Sequence, residues 1–227
     1  MNAHYSRRKQ ATAFTLVELL VVIAIISVIA GLVVGVAGSS SQKKTRLQTL
    51  AEMQKIQAAL EVYKQKVGTY PQAPRRIPIV NPLFYELTGV KYTNASGTHV
   101  YTSMQAPNHL LTSAQVNSYF GLPGFANFVD ETAGNNMEIL LPLTPKQYGQ
   151  LNGSGPYLLK VPAKVPKVTA TNVHGFNNLW KTNTENYWQY RAYDPNGYNP
   201  QGYDLWAELP GRDAQSVEVV SSWGNNQ

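Results

Sequence analysis

The chain has 227 residues, a formal net charge of +6, 14 % charged side chains, 11 % aromatic side chains including 14 Tyr, and no Cys. That length suits one anchor helix and one globular domain of ordinary size. The missing thiols exclude disulfide staples, thiolate nucleophiles and Cys-ligated metals.

The first thirteen residues hold Arg7, Arg8 and Lys9 and no acid, so without them the charge falls from +6 to +3. Much of the basicity is therefore a leader, and charges elsewhere are sparse. Nucleic acid is not an expected partner.

Phe14 to Gly38 read FTLVELLVVIAIISVIAGLVVGVAG, with Glu18 the one charged side chain. From Leu19 to Gly38 there are twenty uncharged residues; at about 1.5 Å each they cover roughly 30 Å, the hydrocarbon thickness of a bilayer. Three readings compete. A buried core helix fits poorly, because the run is apolar on every face. A conventional signal peptide would use the small residues Val36-Ala37-Gly38-Ser39, but the run exceeds the usual apolar core and Glu18 sits badly in it. A retained membrane anchor fits best. Lys43, Lys44 and Arg46 follow the run as Arg7, Arg8 and Lys9 precede it, so charge alone leaves the orientation balanced.

Ala13-Phe14-Thr15-Leu16-Val17-Glu18-Leu19-Leu20 resembles the class III signal of type IV pilins and type II secretion pseudopilins. The resemblance implies cleavage between Ala13 and Phe14 by prepilin peptidase, with N-methylation of the new Phe14 amine. That family usually has Gly before the cut; here Ala13 stands there. It also implies a leader inside, a C-terminal domain outside the bacterial inner membrane, and assembly with identical or related subunits. An inner-membrane platform with a separate ATPase would supply the energy, since this chain has no phosphate-binding loop. Type IV pilins often pin a C-terminal loop with a disulfide, so the lack of Cys tilts the resemblance toward pseudopilins.

Glu18 has two uses. In its own chain it offsets the free N–H groups and dipole of the first turn. Between chains it would neutralise a neighbour's Phe14 amine once both leave lipid, because a buried charge costs several kcal/mol alone and far less when paired. Gly31 and Gly35 form a small-xxx-small pattern that lets helices approach. They equally weaken the helix, at roughly 1 kcal/mol per Gly. Gly35 stands where many pilins have a Pro.

Beyond the run, Leu47, Leu50, Met53, Ile56, Leu60, Tyr63 and Val67 recur at threes and fours, one apolar stripe. Ser39-Ser40-Ser41 is a candidate bend, and Gly68 with Pro71 a stop. Residues 69–155 read as loop-rich, with short helices predicted near Pro82–Leu87 and over Thr112–Phe120. Asn135–Leu141 is helix or strand. Strands are predicted over 157–161, 187–193, 203–208 and 216–220. Between the second and third, Tyr193-Asp-Pro-Asn-Gly and Tyr198-Asn-Pro-Gln-Gly read as consecutive tight turns.

The predicted architecture is α+β: a leader (1–13), a membrane-spanning half-helix (14–38), an amphipathic half-helix (39–68), a variable region (69–155) and a C-terminal antiparallel sheet (156–227) packed on the stripe. Residues 203–206, 211–213 and 222–225 are similar to the closing hairpin of major pseudopilins, which commonly hold calcium. Here that loop offers Asp213, flanked by Glu208 and Glu218, with Arg212 opposing.

Enzymatic signals are weak. The four His residues are scattered, Gly153-Ser154-Gly155 lacks nucleophile-elbow spacing, and Asp130-Glu131 is the only adjacent acid pair. The expected function is a non-enzymatic filament subunit. The alternatives are a minor pilin acting as a tethered binding protein, and a secreted enzyme freed by a conventional cut.

Overall fold

The computed structural model describes residues 16–74, 77–95, 97–129, 139–167, 185–213 and 216–224. The chain divides into two compact units, Met1–Lys43 and Lys44–Gln227.

One helix, α1, runs Leu16–Val67 without a break at Ser39–Ser41, so the predicted bend is not an interruption of the helix. Among the described residues no helix is long and apolar enough to cross a membrane. Side chains of the apolar run are described from Leu16 to Ala30.

Within the second unit the predicted stripe is buried at its centre. Met53, Ile56, Leu60 and Tyr63 lie in the core, joined by Ala59 and Thr49. Its ends stay out: Leu47 is 64 % and Val67 39 % exposed. Gly68 then stops the helix. Its φ of +90° disfavours a side chain, and its N–H bonds Lys64 O at 2.8 Å.

Residues 69–155 hold more structure than the loops expected of them. A short helix α2 (Leu83–Thr88), buried at every position, is followed by strands β1 (Val90–Ala95), β2 (Thr98–Ser103) and β3 (Leu110–Thr112). Helix α3 (Ser113–Phe120) and strand β4 (Phe128–Val129) come next. The sheet order is β3-β2-β1-β4, antiparallel except for the parallel β1–β4 pair. The β1–β2 register pairs Ala95 with Thr98 and sets Tyr92 opposite Tyr101. Thr112 caps α3 reciprocally: its hydroxyl accepts from Gln115 N while Gln115 Oε1 accepts from Thr112 N. Residues 130–138, including Asp130-Glu131 and most of the ambiguous Asn135–Leu141 stretch, lie outside the described residues.

Strand β5 (Tyr148–Gln150) pairs with β6 (Tyr157–Leu159), and a bridge from Lys160 to Tyr187 continues that edge. The C-terminal sheet is antiparallel, as predicted: β7 (Gln189–Ala192), β8 (Tyr203–Pro210) and β9 (Val217–Ser221), with β8 central. Strand β8 is buried from Tyr203 to Leu209, because both of its faces are covered. Tyr203, Leu205, Ala207 and Leu209 join the common core with Met53, Ile56, Leu60 and Tyr63 of α1. The alternate residues Asp204, Trp206 and Glu208 are buried too, on the other face.

The twin turns cover that second face. Gly197 N bonds Asp194 O at 2.8 Å and Gly202 N bonds Asn199 O at 3.0 Å. Asp204 reaches up from β8 and accepts from Tyr198 N (2.9 Å) and Asn199 N (3.0 Å). Arg191 of β7 donates to Asp194 (2.8 Å) and Asp204 (3.4 Å), and its guanidinium lies 5.6 Å from the Trp206 ring centre. Gly197 is required by space, since a Cβ there would sit 2.6 Å from Asp204 Oδ2. Trp223 closes the layer, stacked on Tyr198 at 4.3 Å and edge-on to Trp206 at 5.6 Å.

Candidate functional site

Two places are candidates for function, one in each unit. The first is the front of α1. Glu18 is in the first described turn and is exposed. Around it Leu16, Val17, Leu19, Leu20, Val21, Val22 and Ile23 are all exposed, between 45 % and 78 %. Successive residues step about 100° round a helix, so apolar surface is presented on every side. Ser27 adds no free polar group, since its hydroxyl donates to Ile23 O at 2.7 Å. Gly31 and Gly35 lie within the unbroken helix. Ala13 and Phe14, the predicted processing pair, fall outside the described residues.

The second place is a cleft of about 390 Å³ in the globular unit, which sequence reasoning missed. Tyr63 of α1, Tyr70, Tyr101 of β2, and the 122–126 segment line it, with the Glu86 side chain of α2 at its floor. Glu86 is 2 % exposed. Its carboxylate accepts from Tyr63 Oη (3.0 Å), Ala126 N (3.1 and 3.2 Å) and Asn127 N (3.0 Å). Asn127 Nδ2 in turn donates to Glu86 O at 2.6 Å. Burial pushes the Glu86 carboxyl above its usual range, against these hydrogen bonds, which pull it down. Tyr63 is driven far above an ordinary phenol by burial and then by the Glu86 charge. Gly124 leaves room for the Tyr101 hydroxyl, which a Cβ would displace. The sequence signal for Glu86 was slight: one acid inside Leu83-Phe84-Tyr85-Glu86-Leu87, in a helix too short to show which face is buried.

A neighbouring polar group is structural. Tyr157 N donates to Tyr85 Oη at 2.9 Å, and Tyr85 Oη lies 2.8 Å from His109 Nε2. Gln150 Nε2 lies 3.4 Å from His109 Nδ1, so each ring nitrogen of the neutral imidazole faces a polar partner. Burial lowers the His109 pKa accordingly.

Two of the residues considered for calcium have partners within the protein. Glu218 pairs with Arg46 of α1, while Glu208 accepts from Gln189 Nε2 at 3.4 Å. Asp213 O accepts from the Ser216 hydroxyl at 3.3 Å. Among the described residues no three His, Cys, Asp or Glu side chains gather to hold a metal. Gly153-Ser154-Gly155 is a turn after a single 3-10 turn (Leu151–Gly153), as its spacing predicted.

No curated protein and no solved structure matches the chain. Residues 8–34 match the family model described as the prokaryotic N-terminal methylation motif, which leaves the globular unit uncovered. Such a signal implies processing by prepilin peptidase and assembly among pilin-type subunits. From the end of its basic leader through the exposed apolar front of α1, the chain therefore carries the class III prepilin signal of type IV pilins and pseudopilins.

Proposed function

We propose that this protein is a non-enzymatic structural subunit of a type IV pilin-like filament, with a type II secretion pseudopilus favoured over a surface pilus. The observation that carries the reading is Glu18 in the first turn of a helix whose described front is apolar and exposed all round, inside the matched segment 8–34. The complete absence of Cys favours the pseudopilus.

In this account prepilin peptidase cuts after Ala13 and the Phe14 amine is methylated. The uncharged run Leu19–Gly38 then holds the chain in the inner membrane, single-pass, with the globular unit outside the cytoplasm. An assembly platform with its own ATPase lifts the subunit from lipid. The apolar front packs against the same surface of neighbouring subunits in an open helical stack. Glu18 selects the register, because leaving lipid without a neighbour's Phe14 amine would strand a charge at several kcal/mol. Gly31 and Gly35 let the helices approach.

Glu18→Ala tests the assignment. It should leave membrane insertion intact and abolish or strongly reduce filament yield. A normal yield from this variant would remove Glu18 from the mechanism.

A further inference from the structure

We propose that the cleft between Tyr63, Tyr101 and Phe125 binds an organic ammonium group, held by the Glu86 carboxylate at its floor and by the aromatic rings of its walls. Every group bonded to the Glu86 carboxylate is a donor: two backbone N–H groups and the Tyr63 hydroxyl. That pattern suits an ionised acid, which accepts only. No ion pair among the described residues reaches Glu86. Among the described residues, the titratable groups facing it are Tyr63 from α1, Tyr101 from β2 and Tyr190 from β7, none of them a cation. A buried carboxylate without a counter-charge favours any cation that can reach it.

The walls supply the rest of the recognition. Tyr63, Tyr70, Tyr101 and Phe125 surround the cleft, and aromatic faces attract cations. The rim already shows that behaviour: Lys64 Nζ lies 4.5 Å from the Tyr70 ring centre, and the Tyr70 hydroxyl donates to Glu61 at 2.9 Å. Leu122 and Pro123 add apolar contact for the carbons around an ammonium nitrogen. A volume of about 390 Å³ is at the small end for ligand sites and suits a choline-sized group or one lysine side chain. A neutral sugar would leave the carboxylate without a counter-charge.

The test uses the full chain in a maltoside detergent at pH 8, with choline as probe and amide NMR signals of Gly124, Phe125 and Ala126 as readout. Saturable shifts are expected at millimolar choline, with the neutral isostere 3,3-dimethylbutan-1-ol binding at least about tenfold more weakly. Affinity should fall as the pH is lowered through the raised pKa of Glu86, since only the ionised form holds the cation. Glu86→Gln should weaken binding about tenfold. Because that variant disturbs a buried network, Ala126→Lys at the exposed rim provides a second one: its own ammonium should compete and abolish the choline shifts. A capped Ala-Lys-Ala peptide separates the two sources. Tighter binding of the peptide assigns the site to a polypeptide lysine, and tighter binding of choline to a free amine. Equal affinity for the isostere, or no saturation with either ammonium probe up to about 50 mM, overturns the proposal.

Discussion

The two ends of α1 both carry large apolar residues, and these meet opposite fates. At the front, Leu19 to Ile23 are exposed one after another, with no side preferred. Toward the back, Met53, Ile56, Leu60 and Tyr63 are buried while Gln54, Lys55 and Glu61 between them are exposed. The front is apolar on every side, whereas the back confines its apolar residues to one stripe among charged and amide side chains. A stripe can be satisfied by one sheet of the same chain, and the core residues of β8 satisfy this one. An apolar surface with no polar side needs partners in every direction, and only a lipid phase or a bundle of like helices offers that.

The contrast can be broken by substitution at matched depths. The largest effect is expected where β8 is buried on both faces. Asp204→Ala would remove a buried carboxylate 3.4 Å from the Arg191 guanidinium and free two turn N–H groups. A loss of about 3–5 kcal/mol in denaturant unfolding is expected. Leu60→Ala, at a position with no exposure, should cost about 2–4 kcal/mol by opening a cavity in the common core. Thr112→Ala removes the reciprocal cap of α3 and should cost about 1 kcal/mol. Ile25→Ala at the apolar front should leave unfolding of the globular unit unchanged within about 0.5 kcal/mol, although Ile25 is as apolar as Leu60. A loss at Ile25 to match that at Leu60 would mean that the front is held within its own chain.

Proton linkage sharpens the same picture inside the globular unit. The folded pKa of Glu86 is raised, so the folded state binds more protons than the unfolded one between the two values. Its contribution to stability is complete below the unfolded carboxylate value and is lost as pH rises through the folded value. For His109 the folded pKa is lowered, so its contribution is complete above the unfolded imidazole value and is lost as pH falls through the folded one. Glu86→Gln should therefore flatten the fall in stability as pH rises above the ordinary carboxylate value, and His109→Gln the fall as pH drops below the ordinary imidazole value. Urea midpoints measured across the pH range, with each variant beside the parent chain, would show whether the two slopes separate.

Much of this molecule was legible before its structure. The stripe of α1, its stop at Gly68, the twin turns after Tyr193 and all three C-terminal strands follow from local spacing. The hairpin of β1 and β2 was missed, although Val90-Lys91-Tyr92-Thr93 and His99-Val100-Tyr101-Thr102 alternate across Ser96-Gly97. The residues between those two runs are small or polar and read as loop. The parallel partner β4 has only two residues, and non-local pairing of that kind leaves no local pattern. Glu86 escaped for a related reason. Its burial is created by Tyr63, Ala126 and Asn127, which lie 23, 40 and 41 residues away in the chain. At the front of α1 the site was legible as a motif, since its chemistry is written in consecutive residues.

The account stands on a chain that is trimmed once, just ahead of its apolar helix, and keeps that helix thereafter. Intact mass and N-terminal sequencing of the protein from native membranes test this directly. The account predicts a polypeptide that begins at Phe14 and is heavier by one methyl group. A mature chain that begins beyond Gly35 and is recovered from the soluble fraction would contradict it.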